Sequence, residues 1–240
     1  MTLYVGTSGW AYPQWKPGFY PEKLPQKSFL EHYSTRLSAC EINATFYRIQ
    51  SPETMAKWRA STPEDFRFAV KGHRMISNVR DLSPSPERRD FLGEFVTSLT
   101  NLGDKVGALM LQFSARLPEE RTGFDALLDA LPKDTPFAVD LKHESWRVQE
   151  VEESVFAVGG TLCLSDYDGI PPTALPPGRV AYVRLRKEVY DAAERDAWAT
   201  RLQEDAKERD VYAFVKHEEG PPDDPHAGVG LAQWLVTEIG

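Results

Sequence analysis

Hydrophobic positions along the chain follow two alternating patterns. Short runs rich in β-branched and aromatic residues recur, as is typical of buried strands. Most are followed by a segment whose apolar residues return every three or four positions, the spacing of an amphipathic helix. This alternation predicts repeated βα units. We place eight strands, at Thr2 to Thr7, Ala39 to Asn43, Arg67 to Lys71, Val106 to Gln112, Phe137 to Lys142, Thr161 to Ser165, Val180 to Arg186 and Val211 to His217.

The helical segments carry start and stop signals. Ser51 is a favourable N-cap before Pro52, which suits the first turn of a helix. Two connections depart from the pattern. The insertion Gly72 to Pro86 exceeds the usual βα loop, and Asp166 to Gly178 has no helical period, so the helix after strand six is weak or missing. The other predicted helices are Lys27 to Leu37, the segments around Phe91 to Leu99, Phe124 to Leu131 and Val148 to Phe156, and Ala192 to Arg209 and Gly228 to Ile239.

Eight βα units in 240 residues predict an α/β fold, a single closed (β/α)8 TIM-type barrel spanning residues 1–240. The main alternative is an open doubly wound sheet, which commonly has a glycine-rich phosphate turn after its first strand. That turn reads Gly6-Thr7-Ser8-Gly9-Trp10 here and lacks the GxGxxG spacing. We therefore favour the barrel.

Composition narrows the classes of protein to consider. No apolar run approaches the roughly 18 residues that a membrane helix needs, and the first residues lack the basic and apolar regions of a signal peptide. Both cysteines, Cys40 and Cys163, lie in strand-like runs. We expect a reduced, cytoplasmic protein with no membrane association. A net charge of -8 argues against a broad electrostatic attraction to nucleic acid.

Every predicted strand ends in polar residues, and the strand ends of such a barrel surround its active site. Lysines and arginines outnumber carboxylates among them, which favours a small phosphate- or carboxylate-bearing ligand. The strand ends carry Thr7 and Ser8, Glu41 and Asn43, Lys71, Gln112, Asp140 with Lys142 and His143, Asp166, Arg184 with Arg186, and Lys216 with His217.

These residues suggest general acid/base chemistry. Glu41 is the leading proton-transfer group, with Lys71 and Arg184 tuning its pKa and holding the anion, and with Asp140 or His143 as the second group. An ion pair of Glu41 with Lys71 or Arg184 that is purely structural fits the sequence equally well. The predicted ligand-binding residues are Thr7, Ser8, Trp10, Tyr12, Asn43, Tyr47, Gln112, Lys142, Trp146, Asp166, Tyr182, Arg186 and Lys216. Capping of the barrel core is an equally good role for the aromatic members of that set.

Other chemistries have weaker signals. His73, His143, His217 and His226 follow strands, but no HExxH or Cys/His pattern occurs, so we predict no cofactor and keep a divalent metal as a minor alternative. A basic loop, Gly72 to Arg89, keeps nucleic acid as a possible partner that is not favoured. The sequence gives no signal for oligomeric state.

Three segments resemble the YecE-like proteins of the domain of unknown function 72 family. They are Gly6-Thr7-Ser8-Gly9-Trp10 with Tyr12, Glu41-Ile42-Asn43 with Thr45-Phe46-Tyr47, and Phe66 to Lys71. The resemblance covers essentially the whole chain. It implies a TIM-type barrel whose biochemical activity is not established.

Later segments depart from the family pattern. Where the family tends to have Glu-x-Arg-His-x-Ser-Trp after strand five, this chain has Asp140, Lys142, His143, Ser145 and Trp146. Arg186-Lys187 stand where the family tends to have His-Gly two residues after a shared arginine, Arg184, and Lys216-His217 replace Asn-Asn at the end of strand eight. These changes add bulk and positive charge.

Three functions remain open at this point. The first is an enzyme, a hydrolase or an isomerase or lyase, that acts on a small anion at the barrel mouth. The second is a metal-dependent phosphodiesterase or nucleic-acid repair enzyme like endonuclease IV, which rests on fold analogy. The third is a barrel that binds a ligand or partner without catalysis.

Overall fold

The computed structural model of the protein describes residues 1–83, 85–217 and 220–239. Eight parallel strands follow one another in sequence order around a closed barrel. The barrel closes where β1 pairs with β8, from Leu3 beside Val211 to Thr7 beside Val215. The strands are β1 (Leu3–Thr7), β2 (Ala39–Ile42), β3 (Arg67–Lys71), β4 (Val106–Phe113), β5 (Phe137–Leu141), β6 (Thr161–Asp166), β7 (Val180–Leu185) and β8 (Asp210–Val215).

Helices cover the outside of the barrel. The Ser51 hydroxyl accepts a hydrogen bond from the Thr54 amide, which confirms Ser51 as an N-cap. Asp191 and Glu194 form a reciprocal capping box at the start of the seventh helix. The helices are α1 (Phe29–Ser34), α2 (Pro52–Ala60), α3 (Arg74–Ser77), α4 (Pro86–Leu99), α5 (Arg121–Ala130), α6 (Gln149–Ala157), α7 (Ala192–Asp205) and α8 (Gly228–Ile239).

The predicted barrel is confirmed, with differences in the helices. The segment between β6 and β7 contains no helix, as its composition predicts. The insertion after β3 was predicted as a loop but contains α3, where the ring of His73 accepts a hydrogen bond from the amide of Met75. The helix predicted from residue 27 begins as a 3-10 turn, Gln26–Ser28, and α7 ends at Asp205 rather than Arg209. Residue 84 of the insertion lies outside the described residues.

The barrel interior has a lower, apolar half near the strand starts. Because side chains alternate along a strand, every second residue points inward. In the lower half the rings of Tyr4 and Tyr212 stack with centroids 4.9 Å apart. The inward-facing alanines of β2 to β5 leave room for these rings. The inner apolar cluster comprises Tyr4, Ala39, Ala69, Ala108, Met110, Ala138, Val180, Tyr182, Tyr212 and Phe214.

The same alternation brings charged residues inward at the strand ends. Glu41 lies two residues after Ala39, Lys71 two after Ala69, and Asp140 two after Ala138. The strand ends therefore form a polar layer directly above the apolar cluster.

Among the described residues, no helix is both long enough and apolar enough to cross a membrane.

Candidate functional site

Glu41 lies at the centre of the polar layer. Its side chain is 0% exposed. Carboxylate oxygen Oε1 accepts hydrogen bonds from Ser8 Oγ at 2.9 Å and from Arg184 Nη2 at 3.0 Å. The other oxygen, Oε2, accepts one from the Tyr182 hydroxyl at 2.7 Å. The residue after β1 and two residues of β7, across the barrel, thus supply the hydrogen bonds that a buried carboxylate requires.

Arg184 joins Glu41 to a second carboxylate. Its Nη1 donates to Asp140 Oδ2 at 3.2 Å. The same oxygen accepts from Gln112 Nε2 at 2.8 Å and lies 3.1 Å from Lys142 Nζ. One guanidinium therefore bridges strands β2 and β5 across the barrel, and the predicted pairing of Glu41 with Arg184 is present.

Arg186 is the second arginine of the site. Its side chain is 9% exposed, and Nη2 donates to Ser8 Oγ at 2.8 Å and lies 3.7 Å from Glu41 Oε1. Ser8 therefore accepts from Arg186 and donates to Glu41. We call the following six residues the charged layer: Glu41, Lys71, Asp140, Lys142, Arg184 and Arg186.

The environment keeps Glu41 ionised. Burial alone would raise its pKa, but the guanidinium groups of Arg184 and Arg186 outweigh burial and hold the pKa of Glu41 at about 2. A carboxyl group with that pKa is a weak proton acceptor at neutral pH. Glu41 is suited to anchoring cations.

Lys71 differs from the other cations of the layer. Within the part of the chain that the structure describes, its amine forms no hydrogen bond and no ion pair within 4.0 Å. Nζ lies 4.6 Å from the centroid of the Phe46 ring instead. Burial lowers the pKa of Lys71 to about 8, and the charge of Glu41 offsets this effect only in part.

Aromatic rings accompany both lysines of the layer. The Phe46 ring next to Lys71 contacts Tyr47, with centroids 5.2 Å apart. Lys142 Nζ lies 5.8 Å from the centroid of the Tyr167 ring and 3.5 Å from its hydroxyl. Two cation–π contacts therefore connect the charged layer to the loops that follow β2 and β6.

Several predicted site residues have structural contacts instead. Trp146 is buried, and its indole N–H donates to the carbonyl of Leu117. His143 Nδ1 accepts from the Ser145 amide at the start of a 3-10 turn. Asp166 accepts from the Gly169 amide and the hydroxyl of Tyr190. These side chains organise the loops after β5 and β6.

The segment after β1 is tied together in a similar way. The Thr7 hydroxyl donates to the carbonyl of Gly9, and the Tyr12 hydroxyl donates to the carbonyl of Ser8. Trp10 packs against the ring of Trp58. These contacts hold the Ser8 backbone in place beneath the mouth.

The remaining predicted residues lie at the rim or just below it. Tyr47 is 67% exposed, and Asn43 is half-buried before a 3-10 turn, Ala44–Phe46. Tyr182 lies beneath Glu41 as its hydrogen-bond donor. Lys216 directly follows β8, and its amide donates to the carbonyl of Leu185.

The predicted set omitted Phe46 and Tyr167, the two rings that contact the lysines. Tyr167 comes directly after Asp166, so extending the strand-end rule by one residue would have included it. Phe46 lies in the 3-10 turn after β2, where the alternation of a strand does not apply.

No group of three or more His, Cys, Asp or Glu side chains within residues 1–83, 85–217 and 220–239 is placed to hold a metal ion.

Comparison with known sequences places these features in a family. The sequence model of a family described as "Protein of unknown function DUF72" matches residues 4–238. The UPF0759 protein YecE of Escherichia coli strain K12 is 30% identical over 158 residues, covering 65% of this chain and 54% of that protein. The UPF0759 protein YunF of Bacillus subtilis is 28% identical over 149 residues, covering 60% of this chain and 52% of that protein. The matches thus span about half the length of these relatives.

Solved structures share the barrel. A DUF72 family protein from Thermotoga maritima has a TM-score of 0.77 at 22% identity, covering 100% of this chain and 99% of that one. A DUF72 family protein from Enterococcus faecalis has a TM-score of 0.74 at 18% identity, with 99% and 97% covered. A D-psicose 3-epimerase structure reaches 0.50 at 10% identity, with 98% and 90% covered. Likeness at these identities shows the fold.

Proposed function

This chain belongs to the DUF72 family of TIM-type barrels, and from that premise we propose that its barrel mouth binds a small phosphate- or carboxylate-bearing ligand and acts on it by general acid/base chemistry. The observation that carries the proposal is the charge balance of the layer. Four cations face two carboxylates there, and one of the cations, Lys71, has no counter-ion of its own within 4.0 Å among the described residues.

An anionic ligand would complete this arrangement. Positive charge enclosed by protein is unfavourable unless it is paired, and the Arg184 and Arg186 guanidiniums already share the carboxylate of Glu41. A phosphate or carboxylate that reaches Lys71 would supply the missing counter-charge. Arg186 lies beside the same carboxylate and provides the planar fork suited to such a group.

Lys71 is the proton-transfer group in this proposal. In the unliganded site the pKa of about 8 leaves about a tenth of the amine uncharged at pH 7, and a bound anion raises this pKa, so Lys71 acts chiefly as the proton donor to the ligand. Glu41 has the opposite role. Its pKa of about 2 makes it a permanent negative charge that fixes Arg184 and Arg186 in position.

No observation favours the metal-dependent phosphodiesterase. The two carboxylates of the layer are held by guanidinium and ammonium groups, which would oppose a divalent cation. We therefore assign no step of the reaction to a metal or other cofactor.

Isothermal titration with inorganic phosphate and with acetate tests the proposal. We expect binding to the wild-type protein and an affinity about tenfold lower in Arg186→Gln, because one charged hydrogen bond to the anion is lost. Arg36→Gln is the matched control, since Arg36 is exposed on the turn before β2, at the opposite end of the barrel. Equal affinity in all three proteins, or absence of binding, would overturn the proposal.

The pH dependence adds a second readout. Acetate keeps its charge between pH 6 and pH 9, whereas Lys71 loses its charge as the pH rises through about 8. Acetate affinity should therefore fall over that range. NMR of a ligand incubated with the protein separates an enzyme from a barrel that only binds, because only an enzyme gives rise to the signals of a new compound.

A further inference from the structure

Exposed apolar side chains are concentrated around the mouth of the barrel. Among the described residues, eight large hydrophobic side chains are exposed, and six of them lie on the connections that follow strands β2, β3, β5, β6 and β7. The other two are Met1 and Phe156, which lies within α6. The six on the connections are Tyr47, Met75 (within α3), Val148, Tyr167, Ile170 and Val189.

Two of these side chains are joined to the charged layer. Tyr167 is 60% exposed while its ring and hydroxyl contact Lys142. Tyr47 packs edge to face on Phe46, and the amine of Lys71 also lies beside the Phe46 ring. An aromatic ring therefore stands beside each lysine, one on the β2 loop and one on the β6 loop.

We propose that the ligand of this mouth carries a flat aromatic or apolar body next to its anionic group, with Tyr47 and Tyr167 contacting that body. This inference rests on the proposed function and narrows its substrate class. The arginines and lysines of the charged layer take the anion, and the two rings above them take the apolar part.

Packing of the protein itself does not explain these rings. Trp146, which follows β5, is buried against Phe124, whereas the rings of Tyr47 and Tyr167 each leave more than half of their surface in solvent. Exposed apolar side chains around a group of charged side chains are typical of a binding site.

Matched ligand pairs test the inference by calorimetric titration. The first pair is methyl phosphate and phenyl phosphate, and the second is acetate and phenylacetate, so that each pair shares its charged group. We expect the aromatic member to bind the wild-type protein about tenfold more tightly than its partner, from stacking and burial of one ring. That preference should shrink to about twofold in the double variant Tyr47→Ala, Tyr167→Ala.

The control is Phe156→Ala, which removes an equally exposed ring on α6, outside the mouth, and should leave the preference unchanged. If methyl phosphate or acetate binds but the aromatic member has no advantage, the inference fails and the proposed function stands. An advantage that persists in the double variant overturns the assignment of the two tyrosines. If no member of either pair binds, both the inference and the proposed function fail.

Discussion

The two halves of the barrel interior are built by the same alternation of side chains and have opposite chemistry. In the lower half, the stacked rings of Tyr4 and Tyr212 fill the space between alanines, and the cluster contains no charged side chain. Above, the buried side chains of Glu41, Asp140 and Arg184 form a network of charges. On strands β2, β3 and β5 the change from alanine to a charged side chain takes place within two residues.

The difference in chemistry between the two halves supports the proposed role of the charged layer in binding. Burying an ion pair costs desolvation free energy that its attraction barely repays, so well-packed apolar residues stabilise an interior at least as well. The lower half shows that this chain fills the barrel with such residues where nothing else is required. We infer that the charges above are retained for binding.

The largest expected effect comes from removing the bridging arginine. Arg184→Met leaves the buried carboxylates of Glu41 and Asp140 without their shared partner, so the free energy of unfolding should fall by about 3–5 kcal/mol. Urea denaturation measures the change, with Arg36→Met as a control that should have little effect. A loss below about 1 kcal/mol would mean that the network is not coupled through Arg184.

An intermediate effect is expected in acid. Because the pKa of Glu41 is about 2 when folded, below its ordinary 4.5, its contribution is complete above about pH 4.5 and is lost as the pH falls toward 2. This contribution is about 3 kcal/mol. Glu41→Gln should be less stable than wild type at pH 7 and should lose less stability between pH 4.5 and pH 2.

Urea midpoints at several pH values between 2 and 7 provide that measurement. The comparison variant is Met110→Ala in the lower half, whose loss of packing should lower stability by about the same amount at every pH. Parallel pH curves for wild type and Glu41→Gln would show that Glu41 is not held ionised by its neighbours.

Sequence reasoning predicted the strand ends and the pairing of Glu41 with Arg184, because a period of two fixes which side chains meet inside a barrel. For Trp146 it left ligand contact and core capping open as equally good roles, and a 3-10 turn, Glu144–Trp146, turns that ring into the core beside Phe124. It also offered Lys71 as an alternative to Arg184 in the ion pair of Glu41 and as a group that tunes the pKa of Glu41, and Lys71 does help to lower that pKa. The amine itself lies over the ring of Phe46, a side chain positioned by a turn that no strand periodicity describes.

The last expected change in stability, a gain rather than a loss, belongs to Lys71. Its pKa of about 8 lies below the ordinary 10.5, so the folded state disfavours the charged amine, and wild-type stability should rise between about pH 8 and 10.5. Lys71→Met removes this penalty. Lys105→Met is the control, because Lys105 Nζ donates to the carbonyls of Arg59 and Thr62 and its loss should destabilise the protein.

Lys71→Met therefore tests most directly whether the charged layer serves binding rather than stability. Both urea denaturation and phosphate titration are measured at pH 7 on wild type and variant. We predict a gain in unfolding free energy of up to about 3 kcal/mol, the amount that the lowered pKa of Lys71 represents, together with an affinity for phosphate lowered about tenfold. A variant that is less stable and binds phosphate as tightly as wild type would contradict this prediction.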